Sequence, residues 1–323
     1  MRGGLLGEDV RVLVLGSGKV GHEVNARGVA EALGGRMEWR SVDPRPLFGR
    51  LAPWGPVDPR DRPDLLKRPL PDIVLASGRV TVPYIRALKK SGGPRLFAVF
   101  LQDPRVSRDL FDLIWTPAHD SYRGPNVLAT LTSPHPFSPA RLAAARAAPD
   151  PRVAALPGPR CAIVLGGPSG AQHFTGADMD RMCEATRAII AQGFSVIATP
   201  SRRTPADLTD AVRDGIGDGP GFLWDGAGDN PYASLLALAD AILVTGDSAN
   251  MVGEATATGA PVHIFEPTGG ASRKLGSAID ELIRLGAARR FEGRIESFVY
   301  EPIDSSGRIA AEIVRRFREG RGA

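Results

Sequence analysis

Two stretches of this chain repeat the same order of short elements, and the repetition limits the fold more than any other feature of the sequence. The apolar run IVLAS ends at Gly78, and a helical pattern then leads to Pro94 and the run RLFAVF. The run AILVT likewise ends at Gly246, and a helical pattern leads to Pro261 and VHIF. Each stretch has the order of a parallel βαβ unit. Twin units in corresponding places predict two doubly wound domains that face each other across a cleft.

Short β-branched runs alternate with helical patterns along both halves, which is typical of α/β proteins. The predicted strands are Arg11–Leu15, Met37–Val42, Ile73–Ala76, Leu96–Phe100, Leu113–Thr116, Ala162–Leu165, Phe194–Thr199, Phe222–Leu223, Ile242–Thr245 and Val262–Phe265. We predict an N-terminal Rossmann-like domain over 1–150, a C-terminal Rossmann-like domain over 151–305 and a final helix over 306–323. This helix carries an apolar stripe opposite arginines, so it either packs back on the first domain, which we favour, or lies on a membrane.

Composition narrows the class of protein. With 323 residues, of which 43% are hydrophobic and 24% charged, the chain can form two globular domains. Its net charge of +4 is too small to indicate nucleic-acid binding. Two cysteines without metal-ligand spacing favour a reducing compartment. No apolar run reaches 18 residues and the N-terminal run is too short for a signal peptide, so we expect a cytoplasmic protein that could still be peripheral at the inner membrane face.

The stretch TGDSANMVGEATATGAP is the strongest candidate for a binding site. A predicted strand ends at its glycine, and Asp247 or Ser248 can cap a helix that begins at Ala249. The free N–H groups and partial positive charge of a helix N-terminus suit a diphosphate. Glu254 follows roughly one and a half turns later and could accept hydrogen bonds from ribose hydroxyls. The candidate nucleotide-binding residues of this stretch are Asp247, Ser248, Ala249, Asn250, Met251 and Glu254.

Two further loops follow predicted strands of the same domain. The loop 166–170 is glycine-rich and would let a phosphate approach the backbone closely. The loop 199–204 supplies adjacent arginines, which suit phosphate oxygens. Their candidate nucleotide-binding residues are Gly167, Ser169, Ser201, Arg202 and Arg203. Because ligands of open α/β sheets bind beyond the carboxyl ends of strands, three such loops predict one nucleotide site.

The loop GSGKVG at 16–21 allows two interpretations. Its Gly-x-Gly-x-x-Gly spacing after a strand matches a dinucleotide fingerprint, for which Glu38 or Asp43 could supply the acid that binds ribose. However, His22–Asn25 is polar where that fingerprint prefers small apolar residues, and the phosphate-friendly loops of the second domain would then have no ligand. We therefore disfavour a nicotinamide-dependent oxidoreductase and expect the loop to present His22.

Three residues of the first domain are candidate catalytic groups. His22, neutral at pH 7, could take a proton from an acceptor hydroxyl as a general base. Glu23 could orient the imidazole or act in its place, and Asp103 follows a predicted strand. The pair Asp178 and Asp180 matches a metal-binding D-x-D spacing, but it opens a helix, so we expect no metal site there.

The segment Pro44–Pro71 interrupts the α/β pattern. It carries many prolines, with Leu47, Phe48, Leu51 and Trp54 among arginines, and it is too proline-rich to predict a helix. We predict an irregular loop, which is either a poorly ordered insertion or a contact surface for an acceptor or a membrane.

Several motifs together resemble the bacterial branch of the mitochondrial-fission Elm family over nearly the whole chain. These motifs are LQDPR, GGPSG, SRRTP and TGDSANMVGEA. The family is named for a plant factor that acts on mitochondrial division, and its bacterial members are predicted to be GT-B-like. The stretch GSGKVGHEVN is also similar to the loop of cell-wall GT-B transferases that put UDP-N-acetylglucosamine onto a lipid-linked acceptor. That likeness implies a general base at His22. The stretch SANMVGEATATGAP resembles the strand–helix motif of the same transferases, which implies a ribose-binding carboxylate at Glu254.

The resemblance implies a GT-B glycosyltransferase that takes a nucleotide-diphosphate sugar as donor, without metal or cofactor. The first domain would be the acceptor side and the second the nucleotide-sugar side; the acceptor is unknown and could be lipid-linked. Two other functions stay open on the same fold. One is a non-catalytic scaffold that recruits partners at a membrane surface, and the other is a nucleotide-sugar epimerase. We favour the transferase because a dead scaffold would be free to lose His22, Glu254 and the arginines.

Overall fold

The computed structural model of the protein describes residues 4–170 and 172–322. The chain forms two compact units. The first comprises Met1–Ser138 together with Asp304–Ala323, and the second comprises Pro139–Ile303.

The division between the units falls earlier in the chain than position 150, where sequence analysis put it. The helix that follows Ser138 belongs to the second unit, because its side chains and the turn after it bond there. Arg146 Nε donates to the carbonyl of Ala237 (2.8 Å), and the N–H of Asp150 donates to the Ser234 hydroxyl (2.9 Å). Residues 149–160, which the sequence suggests as a linker between the domains because they are rich in Pro, Ala and Arg without a clear period, therefore lie inside this unit.

The first unit begins with alternating strands and helices. Its elements are β1 (Leu6–Gly16), α1 (Val20–Leu33), β2 (Gly34–Ser41), α2 (Pro46–Leu51), α3 (Arg62–Leu65), β3 (Ile73–Ser77), α4 (Val82–Gly92), β4 (Phe97–Leu101), β5 (Leu113–Pro117) and β6 (Val127–Thr130). In the described residues these strands form a parallel six-stranded sheet in the order β2-β1-β3-β4-β5-β6. The chain reverses its direction of progress across the sheet between β1 and β3, which makes this the topological switch point.

The second unit repeats the alternation. Its elements are α5 (Pro139–Ala147), α6 (Pro151–Ala154), β7 (Arg160–Leu165), β8 (Gln172–His173), α7 (Gly176–Ala191), β9 (Ser195–Pro200), α8 (Ala206–Ile216), β10 (Gly221–Leu223), α9 (Tyr232–Leu238), β11 (Ala241–Thr245), α10 (Ala249–Thr256), β12 (Val262–Phe265), β13 (Gly269–Gly270), α11 (Arg273–Arg284) and β14 (Arg289–Arg290). Across the described part of this unit, a parallel sheet has the order β10-β9-β7-β11-β12-β14. Its switch point lies between β7 and β11. Strands β8 and β13 form a separate antiparallel pair.

Both sheets are buried on two faces, as parallel sheets require. In the first unit, Val14 and Leu75 lie in one core cluster, whereas their neighbours Leu15 and Val74 lie in another. Because successive strand residues point to opposite faces, helices cover the sheet on both sides. The α/β class and the two Rossmann-like domains predicted from the sequence are confirmed.

The last helix, α12 (Ser305–Gly322), completes the first unit. Its apolar residues Ile309, Ile313 and Phe317 are buried in the same cluster as residues of β1 and α1. The expectation that this helix packs back on the first domain is confirmed. The apolar stripe is therefore not available to a membrane.

The proline-rich segment is more ordered than predicted, since it contains α2 and α3. Each of these short helices has proline in its first turn, where the missing N–H costs no helical bond. Asp58 is fully buried between them, and its carboxylate accepts hydrogen bonds from Arg45 (Nη2, 2.8 Å) and Arg60 (Nη2, 3.1 Å). The expectation of an irregular loop was wrong because proline excludes helix interiors and not helix starts.

Four short strands were missed by sequence analysis. They are β6, β8, β13 and β14. Strands β8, β13 and β14 have two residues each, and β14 is an exposed Arg-Arg pair, so no hydrophobic period marks them.

We expect His263 to make the second unit sensitive to acid. This β12 residue is buried, its Nε2 accepts the N–H of Glu296 (3.1 Å), and burial lowers its pKa to about 4. A base whose pKa falls on folding contributes stability that is full above pH 6.5 and is lost as the pH falls towards 4. Between pH 7 and pH 4, wild type should lose roughly 3 kcal/mol relative to His263→Phe. Urea unfolding at both pH values measures this difference.

The exposed His173 provides the control for that comparison. His173→Phe should follow wild type at both pH values. Equal pH dependence of wild type and His263→Phe would show that His263 does not titrate on unfolding.

Candidate functional site

The loops at the switch point of the second sheet contact one another through backbone and side chain. The N–H of Gly166, after β7, donates to the Thr245 hydroxyl at the end of β11 (2.7 Å). The N–H of Gly167 donates to Asp247 Oδ2 (2.9 Å). A Cβ at Gly166 would lie 2.2 Å from the Asp247 carboxylate, and one at Gly167 would lie 2.1 Å from the Arg203 carbonyl oxygen. Glycine is thus needed at both positions because the three loops pack so closely.

Arg203, in the loop after β9, extends over this junction. Its Nη1 donates to the carbonyl of Pro168 (2.8 Å), and its Nη2 lies 3.7 Å from Asp247 Oδ2. Half of the side chain is exposed. The guanidinium is therefore held at the carboxyl edge of the sheet with donors still accessible to an anion.

The other predicted residues of these two loops have different surroundings. The Ser201 hydroxyl contacts Thr204 Oγ1 (3.0 Å) and accepts the N–H of Arg203, so it shapes the turn. Arg202 and Ser169 are exposed. In the described residues the geometry singles out Arg203 of the two arginines, because Asp247 and the β7 loop orient it.

Asp247 is buried and serves as the common partner of the loops. Its side chain is fully buried, and burial raises its pKa even though Thr245, Gly167 and Arg203 stabilise the carboxylate. A buried carboxylate would repel a diphosphate, so its contacts suit positioning of Arg203 and of the β7 loop. The helix cap is Ser248, whose hydroxyl accepts the N–H of Met251 (3.5 Å).

The N-terminus of α10 lies at this same edge. Ala249, Asn250 and Met251 form its first turn and are half-buried. The first N–H groups of a helix have no acceptor within the helix, and they carry the positive end of its dipole. Together with Arg203, they give the edge a concentration of donors and positive charge.

Glu254 lies on the buried side of α10 and bonds Tyr232, the first residue of α9. The Tyr232 hydroxyl donates to Glu254 Oε2 (2.7 Å). Burial raises the pKa of Glu254 to about 7, while the tyrosine bond lowers it. A carboxyl group with so perturbed a pKa, beside a cluster of anion-binding groups, is a candidate for ligand contact.

The first unit has its own cluster at its switch point. His22 lies in the first turn of α1, and its Nδ1 is 2.9 Å from the Ser17 hydroxyl in the loop after β1. Gly78 follows β3 with a φ of 88°, and a Cβ there would lie 2.7 Å from Ser17 Oγ and 2.9 Å from His22 Nδ1. Glycine at this position provides the space for the Ser17–His22 pair.

His22 is half-buried and its pKa is lowered, first by burial and then by Lys19. A neutral imidazole with one nitrogen fixed by Ser17 can accept a proton at the other, as a general base requires. Glu23 lies beside it in α1 and is half-buried. Glu38, one of the two acids that a dinucleotide site could use, accepts a hydrogen bond from Arg40 Nη2 (2.9 Å).

The hydrogen bond that the structure shows for the Asp103 side chain is within its own turn. The carboxylate accepts the N–H of Arg105 (2.8 Å), and its charge raises the pKa of Tyr122 in addition to burial. Among the described non-glycine residues, Gln102 (φ 97°) and Arg105 (φ 55°) alone have positive φ, and they flank Asp103. The turn is strained, but no contact between described residues joins Asp103 to His22.

Sequence reasoning missed Ser17, Gly78, Thr245 and Tyr232 as parts of these clusters. Ser17 and Gly78 were visible as loop residues, and the left-handed turn at Gly78 was marked by glycine. Nothing in the sequence links Tyr232 to Glu254, because they lie on different helices and meet only through packing.

The acidic pair at the start of α7 has a structural role at Asp178. This carboxylate is buried, accepts the N–H of Thr175 (2.8 Å), and accepts the N–H of Thr268 (3.0 Å). It caps the helix and ties it to the loop after β12. In residues 4–170 and 172–322, no group of three or more His, Cys, Asp or Glu side chains is placed to hold a metal ion.

Sequence comparison agrees with the motifs. The model of the family described as mitochondrial fission ELM1 matches residues 20–317. The chain belongs to this family. The Arabidopsis thaliana mitochondrial fission protein ELM1 is 30% identical over 276 residues, which cover 76% of this chain and 64% of the plant protein. The ELM1-family chain thus spans less than two thirds of that relative's length.

Solved structures with a similar fold include UDP-GlcNAc 2-epimerases and GT-B glycosyltransferases. The UDP-GlcNAc 2-epimerase from Neisseria meningitidis, solved with UDP-GlcNAc, has a TM-score of 0.53 at 12% identity and covers 96% of this chain and 100% of that one. MurG from Acinetobacter baumannii has a TM-score of 0.50 at 14% identity and covers 97% and 95%. The likeness establishes the GT-B fold predicted from the sequence. None of the helices in the described residues combines the length and hydropathy of a transmembrane segment.

We expect Glu254→Gln to stabilise the free protein at alkaline pH. An acid whose pKa is raised from 4.5 to about 7 destabilises the fold once it ionises, and the cost is complete above pH 7. The variant should gain roughly 3 kcal/mol over wild type at pH 8 and almost nothing at pH 4. Urea unfolding at both pH values measures this gain. No gain at pH 8 would mean that the carboxylate is solvated or paired in solution.

We expect Ser17→Ala to let His22 exchange between its two neutral tautomers. A general base at Nε2 requires Nδ1–H to donate to the Ser17 hydroxyl, so wild type should show the Nδ1–H tautomer as the dominant form in ¹⁵N spectra above the pKa of the imidazole. The variant should show averaging at His22 and no change at the exposed His173. Gly78→Ala should produce the same averaging, because its methyl group would displace the pair. A wild-type spectrum that is already averaged would contradict the bond.

Proposed function

We propose that the protein is a glycosyltransferase that binds a nucleotide-diphosphate sugar at the carboxyl edge of the second sheet. The observation that carries the proposal is the meeting of Arg203, the N-terminus of α10 and the buried Glu254 at one switch point. Ligands of open α/β sheets bind at such points. The GT-B fold, shared with UDP-sugar enzymes, supports the same location.

The ribose would bind to Glu254. A buried carboxylate with a pKa of about 7 is poorly solvated, and two ribose hydroxyls would supply hydrogen bonds that water does not. The Tyr232 hydroxyl holds one oxygen and thereby orients the carboxylate. The energy that Glu254 costs the free protein is recovered when the nucleotide binds.

The diphosphate would bind between the first turn of α10 and Arg203. Preorganised N–H donors and a guanidinium stabilise the negative charge that develops as the sugar leaves the diphosphate. Asp247 would position Arg203 and the β7 loop without touching the ligand. Arg203 and the first turn of α10 would thus bind the diphosphate, whereas Asp247 would only position Arg203, although the sequence suggested all of these residues as nucleotide-binding.

His22 would act as the general base towards the acceptor hydroxyl. Its lowered pKa keeps it neutral at physiological pH, and Ser17 fixes one of its nitrogens. Proton transfer to such a group typically contributes on the order of 10²–10⁴ in rate. The acceptor stays undefined in this proposal, and a lipid-linked hydroxyl is one class to test.

Isothermal titration with UDP-GlcNAc tests the donor site first, with UDP, GDP, CDP, TDP and NAD as comparison ligands. Because Glu254 ionises near pH 7, affinity for UDP-GlcNAc should rise several-fold from pH 6 to pH 8. The esterified diphosphate of UDP-GlcNAc keeps its charge between pH 6 and pH 8. The change in affinity therefore reflects ionisation of the protein and not of the ligand. Glu254→Gln should weaken binding at pH 8 and flatten the profile, while Tyr232→Phe should move the profile to higher pH.

The arginine has a matched control in the same unit. Arg203→Ala should weaken UDP-GlcNAc binding at least tenfold, because a charge-assisted bond to phosphate is lost. Arg213→Ala, which removes an exposed arginine of α8, should bind as wild type does. Equal affinities of Arg203→Ala and wild type, or binding of NAD alone, would overturn the donor site.

The structural likeness to UDP-GlcNAc 2-epimerases favours epimerisation as a second candidate function. The two reactions differ in what they consume. A transferase releases UDP only when an acceptor hydroxyl is present, whereas an epimerase converts the sugar nucleotide without acceptor. Nucleotide binding with neither reaction, across a panel of acceptors, would instead support a non-catalytic scaffold.

A further inference from the structure

The segment around α2 exposes a row of large apolar side chains. Leu47, Leu51 and Trp54 are 63%, 45% and 72% exposed. Leu47 and Leu51 are four residues apart on the helix, and Trp54 lies in the turn that follows, where its N–H bonds the Leu51 carbonyl (3.1 Å). We call these three residues the α2 stripe. Helix α2 has no buried residue, so its apolar side chains do not serve the core.

The α2 stripe is held in place by the fold beneath it. Arg86 donates to the carbonyls of Pro53 (2.9 Å) and Trp54 (3.1 Å), and Arg79 donates to the carbonyl of Ala52 (2.7 Å). Ala52 and Pro53 themselves are buried. The turn that carries Trp54 is thus anchored on both sides, and the exposure of the indole is a feature of an ordered structure. Exposed apolar clusters of this kind mark contact surfaces.

Four arginines belong to or contact the segment that carries the α2 stripe. Arg50 lies on α2, and Arg45 directly precedes it with its guanidinium over the Phe48 ring. Arg79 and Arg86 bond the carbonyls of the turn that carries Trp54. Asp58, which pairs with Arg45, is fully buried, so its charge is not presented to a partner.

We propose that the α2 stripe is a docking surface for a membrane that contains anionic phospholipids. Leucine and tryptophan side chains insert at the boundary between headgroups and acyl chains, and tryptophan in particular prefers that depth. Arginines beside them remain at headgroup level and attract lipid phosphates. The stripe is short, so binding needs both the apolar and the electrostatic contribution.

A second copy of the chain suits this surface less well. A stable protein interface buries roughly 800 Å² on each partner, whereas the stripe offers three side chains. Two copies related by a two-fold axis would also bring their arginines together, and like charges oppose such an interface. The inference uses no residue of the nucleotide site, so it stands or fails independently of the proposed function.

Flotation of the full chain with vesicles tests the proposal. Wild type should float with vesicles of 30% POPG and 70% POPC, and bind POPC vesicles at least tenfold more weakly. The double substitution L47E/W54E should reduce the partition coefficient on POPG vesicles at least tenfold. It changes exposed side chains only, so the fold should be retained, as circular dichroism and the unfolding midpoint will show. Raising the salt to 0.5 M should weaken wild-type binding, because the attraction of arginines to lipid is screened.

The second unit supplies the matched control. Leu285 and Val299 are 53% and 95% exposed, and L285E/V299E makes the same change in charge at apolar positions of that unit. This variant should float as wild type does. Tryptophan emission should also shift to the blue with POPG vesicles, and Trp54→Phe should abolish most of that shift while it keeps the partition coefficient within about threefold.

Three results would overturn the proposal. The first is failure of wild type to float with POPG vesicles, and the second is flotation of L47E/W54E equal to that of wild type. The third is a dimer, detected by sedimentation, that L47E/W54E dissociates while vesicle binding is absent; this would assign the α2 stripe to an interface between copies.

Discussion

The buried carboxylate of Asp247 is the interaction on which the geometry of the second unit depends. It accepts the N–H of Gly167 and lies beside Arg203, so one side chain joins the loops after β7, β9 and β11. Its burial has an electrostatic cost, seen in its raised pKa, which hydrogen bonds with Thr245 and Gly167 and the charge of Arg203 offset in part. The loops can approach so closely because Gly166 and Gly167 have no side chains. The glycine-rich motif therefore serves packing between loops as well as access for a ligand.

Both units place an unusual titratable group at their switch point, by different physical means. In the second unit, burial on α10 raises the pKa of Glu254 to about 7. In the first unit, partial burial beside Lys19 lowers the pKa of His22. In water at pH 7, a glutamate side chain is ionised and a histidine side chain is partly protonated. In this protein, burial makes the ionised form of Glu254 and the protonated form of His22 less favourable. Such groups reduce stability, and their retention at the ends of parallel strands is expected of binding and catalytic sites.

The same chain combines two sheets whose strand orders differ. The first begins β2-β1-β3 from one edge, and the second begins β10-β9-β7-β11. In each sheet, the repeated βαβ unit begins with the strand that is paired with the sheet's first strand on the other side of the switch point. These strands are β3, paired with β1, and β11, paired with β7. Gly78 and Gly246 thus end equivalent strands, β3 and β11. This equivalence explains why each repeat carries a tight glycine turn: both turns face the position where ligands of such sheets bind.

The sequence by itself determined the α/β class, ten of the strands, the place of both glycine turns and the helix that begins after Ser248, because these features depend on local hydrophobic period and turn chemistry. It also predicted the burial of α12 against the first domain from one apolar stripe. Only the tertiary structure decided which of the neighbouring polar residues act together. Arg203 and Arg202 are equal in sequence, but Asp247 orients only Arg203 among the described contacts. The roles of Ser17 and Tyr232 depend on the side chains that they bond, His22 and Glu254. These roles were not predicted because hydrogen bonds between side chains leave no periodic pattern in a sequence.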